Sequence, residues 1–447
     1  MKTSDPRGDE LLEHLLAAES PDVLASASAS TWLAVDEAVR YCQWDQPTLA
    51  DVLEARRATG RAGALDRVLA ACDRRGWARE AAVVDIVERG ESPQALALRA
   101  ADRVPKVRDR ARAACEPLLD SPSVVEVAPV AFALRDHPLG AWLAERVESA
   151  LRSATPAVLA VAREAADVPA RRFAYDVALE RGILDLDAVL RGALRGEDRP
   201  IRVRCAEAAT RLAADVDDVR VLLTCRAACV RAAAVRAIGQ EEHAVAALTD
   251  RSARVRTVAR SLVDDPAAHC RARLPEALLG LGETGVPADA DLVRPWLAHP
   301  SSRVRADAVH ALLRLGAVDV TRFEAMLTDP SGAVTRAVTR ALRRHAEALD
   351  QDRLVDLLLS DARNVRTAAY RLLVASDAWH RLLADLVLVA RDPERRVRAA
   401  ADLRVWLSDA RQTASPPPNA ADLRRALGAA EPWLDPVLLE ELAAVSG

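Results

Sequence analysis

HPSSRVRADAVHALLRLG, residues 299–316, decides the fold. A turn-like opening leads through Val-Arg into an Ala- and Leu-rich run. With Arg305 as position 0, apolar residues fall at −1, +3, +6 and +7: Val304, Ala308, Ala311 and Leu312. At about 100° per residue these make one stripe of a helix. The opposite positions, +1, +4, +5 and +8, are expected to face outward.

The pattern recurs. DRVPKVR (102–108), DRPIRVR (198–204), DRSARVR (250–256) and DPERRVR (392–398) each place Asp six residues before Arg. CRAACVR (225–231), DPSGAVT (329–335) and SDARNVR (360–366) are degenerate copies. The Arg slots at 204, 231, 256, 305, 335, 366 and 398 are spaced by 27, 25, 49, 30, 31 and 32 residues. The long interval suggests an insertion over 266–285. The gap from Arg108 to Arg204 holds three periods, with Arg172 on the grid and an eroded copy near DHPLGAW (136–142). A period near 30 residues indicates stacked helical units that share a core growing in one dimension. No useful period-2 alternation is present, so no sheet is expected.

With its recurring Asp-x5-Arg and Val-Arg-x-x-Ala, the chain resembles the HEAT-repeat family, including the shorter phycobilin lyase-like variants. The resemblance covers most of residues 90–407. It implies an all-α fold, an α-α superhelix built as a right-handed solenoid of helical hairpins. It also implies a ladder between Asp and Arg of neighbouring repeats, here Asp102, Arg108, Asp198, Arg204, Asp250, Arg256, Asp392 and Arg398. The expected organisation is a disordered tail over 1–9, an N-terminal helical cap with degenerate repeats over 10–90 and the solenoid over 91–411. A Pro-rich linker follows over 412–419, then capping helices over 420–447. Within 10–90 the motif is not recognised, and helices are inferred from apolar spacing such as Leu11, Leu12, Leu15 and Leu16.

Composition narrows the function classes. The 62 basic and 66 acidic residues leave a net charge of −4, so no global field draws in nucleic acid or an anionic membrane. Lys2 and Lys106 are the only lysines, so Arg is the default cation. The seven cysteines are irregularly spaced in Ala-rich segments and read as reduced thiols of a cytoplasmic protein. No apolar run is long enough for a membrane span.

Catalytic constellations are not found. Cys225 and Cys229 lie one helical turn apart and His269 adjoins Cys270, but neither set has metal-ligand spacing, so no metal or cofactor is expected. Gly280, Gly282 and Gly285 read as a helix end and turn. The acidic pairs Asp217-Asp218, Glu241-Glu242 and Asp264-Asp265 read as solvated turns. Trp32, Asp36 and Arg40 would share a helix face. That pairing is similar to the Trp and Asp of HEAT-like DNA glycosylases, and its plainer reading is a Trp anchoring the N-terminal cap.

The leading expectation is a non-enzymatic scaffold that binds a protein partner. The candidate surface is outward-facing Arg336, Arg340 and Arg343, with Tyr370, Arg371 and Trp406 on the next two helices. Arg and aromatics together are enriched at interface hot spots. An acidic peptide is the first candidate ligand and a phosphate backbone the second. A nucleic-acid binder or glycosylase, and a prosthetic-group lyase or chaperone, are the alternatives.

Overall fold

The structure is a computed structural model that describes residues 27–41, 63–410 and 420–446, with Leu24, Leu53, Arg56, Ala58 and Thr59. The expected tail, Leu11 to Leu16, Cys42 and the Pro-rich linker lie outside the described residues. The chain is all-α: the described residues form helices and turns and no strand.

The chain divides into two compact units, Met1–Ala234 and Val235–Gly447. The first holds α1 (Ala29–Tyr41), α2 (Ala64–Ala71), α3 (Gly76–Arg89), α4 (Pro93–Arg99), α5 (Pro105–Leu119), α6 (Val124–Ala133) and α7 (Ala141–Ser153). It continues with α8 (Pro156–Arg163), α9 (Val168–Glu180), α10 (Leu186–Arg195), α11 (Arg199–Leu212) and α12 (Arg220–Leu223). The division falls within α13 (Ala228–Ile238). The second unit holds α14 (Glu241–Ala247), α15 (Ala253–Arg260), α16 (Pro266–Arg271), α17 (Leu278–Thr284), α18 (Ala290–Val293), α19 (Ser302–Arg314) and α20 (Val320–Ala325). Then come α21 (Gly332–Leu342), α22 (Gln351–Leu357), α23 (Arg363–Ser376), α24 (Ala378–Arg391), α25 (Arg396–Ala410), α26 (Ala420–Ala430) and α27 (Pro436–Ser446).

Within each unit the helices pair as hairpins, such as α2 with α3, α4 with α5 and α10 with α11 in the first, and α20 with α21 and α22 with α23 in the second. The second helix of one hairpin packs on that of the next: α3 on α5, and α17, α19, α21 and α23 in succession. Local signals set the starts. Asp167, Asp185, Asp198, Asp319 and Asp350 each accept a backbone N–H three residues on, at 2.8–3.1 Å. That satisfies one of the free donors of the first turn. Prolines stand in the first turn of α4, α5, α8, α9, α11 and α16, where no N–H is needed. Gly90 and Gly316 follow α3 and α19 at φ 67° and 71°, a left-handed conformation that suits glycine.

The Asp-x5-Arg interval has a structural cause. Arginine is the fourth residue of α3, α5, α9, α11, α13, α15, α19 and α23: Arg79, Arg108, Arg171, Arg202, Arg231, Arg256, Arg305 and Arg366. In all but Arg202, Nη1 folds back onto the carbonyl oxygen six residues earlier, at 2.6–3.1 Å. The guanidinium thus ties the inter-helix turn to the helix that follows. Several of these arginines also reach the next hairpin. Arg79 Nε and Nη2 donate to Asp102 at 2.8 Å, and Arg305 binds both oxygens of Asp329 at 2.9 Å. In the α9 hairpin the work is split. Arg171 holds the turn, and Arg172 donates to Asp198 at 2.8–3.2 Å.

Several expectations need correction. Arg204 is not in the ladder. Asp198 itself caps α11, so the helix starts two residues earlier relative to the motif than α15 does. Arg202 takes the fourth position, donating to Ala193 O at 2.8 Å, and exposed Arg204 pairs with Asp176 instead. Arg398 is also outside the ladder, with its side chain 89% exposed. In α25 the buried stripe is Ala399, Leu403, Trp406 and Leu407, two residues beyond the expected one, which leaves Val397 and Val405 exposed.

The long interval between Arg256 and Arg305 contains no odd insertion. Helices α16 and α17 fill it as another hairpin, with Leu281 at the fourth position of α17 where the arginine would be. Gly280 and Gly282 sit inside α17 rather than in a turn. A Cβ at Gly282 would lie 2.6 Å from Ala311 Cα, and one at Gly280 2.8 Å from Cys270 Sγ. In α19, α21 and α23 the stripe is as expected: Ala308, Ala311, Leu312, Val334, Val338, Leu342, Val365 and Leu372 are buried. Val304, in the first turn of α19, is only half-buried.

Candidate functional site

The outward face of α19, α21 and α23 carries the candidate site. Arg336 and Arg340 lie one turn apart on α21 and are exposed, as is Arg371 on α23. Arg343 is exposed in the short 3-10 turn after α21. Among the described residues none of these four has a carboxylate within ion-pairing reach. Thr339, expected beside them, is instead buried and donates to Thr335 O at 2.6 Å.

The aromatic part of the expected patch belongs to the core. Trp406 is 2% exposed, its ring centroid lies 5.4 Å from that of Trp379, and its Nε1 donates to Ala378 O at 2.6 Å. It therefore offers nothing to a partner, because the two-residue shift of α25 turns it inward. Half-buried Tyr370 donates its hydroxyl to Asp385 at 3.0 Å and packs against the core of the C-terminal helices. Burial pushes the Asp385 carboxyl up to about 7, and Asp402 adds to the effect. The Tyr370 hydroxyl is raised above its usual range, by burial first and then by Asp385.

The structure instead adds residues from α19. A groove of about 430 Å³ runs between α19 and α21, lined by Ser302, Arg303, Asp307 and His310 on one side and Arg336 and Arg340 on the other. Ala306, Ala333 and Ala337 keep its floor low. Arg303 lies 3.8 Å from Asp307. Burial raises the Asp307 carboxyl, against the attraction of Arg303, His310 and Arg256. Burial also lowers the His310 imidazole, Arg340 and Arg314 lower it further, and Asp307 opposes them. His310 is therefore harder to protonate than a free imidazole, and a nearby negative charge works against that shift.

The basic field extends beyond the groove. Glu283 on α17, its side chain 1% exposed, is held by Arg256 through Nε at 3.1 Å, by Arg314 at 3.1 Å and by Arg260 at 3.8 Å. Arg303, Arg336, Arg340 and Arg371 are then added with Asp307 as the one further carboxylate in the groove lining. The face is locally cationic in a chain of net charge −4.

Trp32 and Asp36 do share a helix face, but not in an open cleft. Trp32 is 2% exposed. Asp36 accepts from Arg99 and lies 3.2 Å from Arg40, and Arg99 also reaches Asp102, the partner of Arg79. The carboxylate is already engaged in a buried ionic network. Burial, with Asp36 beside it, pushes the neighbouring Cys72 thiol up to about 12, the opposite of what an activated nucleophile needs. Cys115, about 12, and Cys205, about 11, are raised by burial in the same way.

Among the described residues no three His, Cys, Asp or Glu are grouped to hold a metal ion, and no helix is long and apolar enough to cross a membrane. No family model matches the chain. No curated protein matches it in sequence.

Proposed function

We propose that the chain is a binding scaffold, a HEAT-type helical-repeat array that holds an acidic segment of a protein partner on the α19–α21–α23 face. The observation that carries this reading is the contrast among its arginines. Those at the fourth helical position spend their donors on turn carbonyls and neighbouring carboxylates. Arg336, Arg340 and Arg371 are exposed on adjoining helices and have no carboxylate partner among the described residues. Like charges so placed repel, and an acidic ligand relieves the repulsion while gaining charge-assisted hydrogen bonds. The engaged state of Asp36 and the raised Cys72 thiol favour binding over catalysis. The six described cysteines carry no disulfide, which fits the reducing cytoplasm.

The test is fluorescence anisotropy with a labelled oligoglutamate peptide at fixed low salt. The double variant Arg340→Glu, Arg371→Glu should keep the helical circular dichroism of the parent and bind at least about tenfold more weakly, a loss of ~1.4 kcal/mol. Equal binding by a folded double variant overturns the proposal.

A further inference from the structure

Three side chains of this face stand at equivalent helical positions. His310 is the ninth residue of α19, Arg340 the ninth of α21 and Arg371 the ninth of α23. Three observations put these helices side by side in the same register. Arg305, the fourth residue of α19, binds Asp329 in the turn that enters α21. Asn364, the second residue of α23, donates to Asp329 O at 3.2 Å and stands beside Gly332, the first residue of α21. Arg340 is also among the charges that act on His310. Equivalent positions of the three helices therefore form a row at the helix-packing interval.

That interval selects a ligand conformation. Packed helix axes are about 8–10 Å apart. A β-strand repeats a face every two residues, at roughly 7 Å, or every four, at roughly 13 Å. Helical neighbours three or four apart are only about 5–6 Å apart. A polyproline II segment turns once every three residues and rises about 3.1 Å per residue, so every third side chain points the same way at roughly 9 Å. An α-helical ligand approaches the interval only with every seventh residue, at about 10.5 Å, whereas the polyproline II repeat falls inside it.

We propose that His310, Arg340 and Arg371 read an acidic polyproline II segment laid across α19, α21 and α23, with Asp or Glu at every third residue. This rests on the acidic-partner reading above and adds the register. The segment is rigid before binding, so little conformational entropy is lost when it docks. Exposed Arg336, one turn from Arg340 on α21, stands beside the middle anchor of the row.

The test compares fluorescein-labelled peptides that share a conformation and differ in phase. Each carries the same number of glutamates in a proline background, as repeats of Glu-Pro, Glu-Pro-Pro or Glu-Pro-Pro-Pro. The proposal expects Glu-Pro-Pro to bind the full chain at least about tenfold tighter than the other two in anisotropy titrations. Arg340→Glu should abolish that preference, and replacing the middle glutamate of the peptide by lysine should restore binding to that variant. If the three peptides bind equally, the register inference is wrong while the acidic-partner reading stands. If none binds, both fail. If a single-stranded oligonucleotide of equal charge binds tighter than Glu-Pro-Pro, the ligand class is wrong.

Discussion

Arg305 binds both carboxylate oxygens of Asp329, 24 residues on, at 2.9 Å, while its Nη1 holds the carbonyls of His299 and Pro300. One side chain thus ties its own turn to the turn of the next hairpin. Partner and backbone hydrogen bonds hold the carboxyls of Asp102, Asp198 and Asp329 below the usual carboxylate range, despite the opposing effect of burial. Their stabilisation is present above the unfolded value of about 3.9 and is lost as pH falls through the lower folded values. Asp329→Ala should cost about 1–2 kcal/mol in urea unfolding at pH 7, the bidentate contact being partly exposed. The gap to the parent should close as pH drops toward 2. A gap that does not change with pH contradicts this account.

Asp385 has the opposite sign. It is fully buried, Tyr370 donates to its Oδ1, Oδ2 has no hydrogen-bond partner, and Asp402 and Arg381 are the nearby charges. With its carboxyl raised to about 7, the folded state holds a proton that the unfolded chain has already lost above about 3.9. Stability should therefore fall as pH rises from about 4 to 7. Asp385→Asn keeps an acceptor for Tyr370 and carries no charge. Its melting temperature should pull ahead of the parent's across that window and stay ahead at pH 8. Parallel curves would rule out the buried ionisation.

Two glycines should respond in opposite ways. At Gly282 an added methyl meets the α19 backbone at Ala311, so Gly282→Ala should destabilise by about 1–3 kcal/mol through overpacking. At Gly428, within α26, nothing lies within 4 Å, and Gly428→Ala should stabilise by about 0.5–1 kcal/mol through helix propensity. Urea midpoints of the two variants check both signs.

Particular residues show what the sequence made legible. The Asp-x5-Arg interval was readable because a fixed reach, guanidinium to the carbonyl six residues back, imposes it. The same signal stands in DRRGWAR (73–79), inside the region where no motif was recognised, because Ala78 replaces the expected valine. The frames of α11 and α25 were not readable. Capping by Asp198 and packing of α25 on α24 decide where each stripe begins, and motif alignment alone misplaced Arg204, Arg398 and Trp406. Exposed Arg336, Arg340 and Arg371 followed from helical phase within single helices. Arg303 and Asp307 did not, and His310, though at the outward position +5 of its own copy, joins the site with them only when α19 is laid against α21.

His310 should give the proposed binding face a pH dependence. Burial, Arg340 and Arg314 hold its imidazole below the ordinary value of 6.5, and Asp307 on its own helix opposes them. It therefore gains charge only in mildly acid solution. Affinity for an oligoglutamate peptide should be flat from pH 8 to about 6.5 and rise only below that ordinary value, while most of the peptide carboxylates are still ionised. His310→Gln should remove the rise and leave an affinity that no longer changes between pH 8 and 5. A rise that survives in the variant assigns the titration to another group.

The central claim is that an acidic partner segment sits on the α19–α21–α23 face, and amide hydrogen exchange with and without a saturating oligoglutamate peptide tests it most directly. The account predicts slowed exchange confined to peptides covering Ser302–Arg314, Gly332–Leu342 and Arg363–Ser376. It also predicts that this slowing disappears in the Arg340→Glu, Arg371→Glu variant. Protection elsewhere in either unit, or no protection on these three helices despite measurable binding, would contradict it.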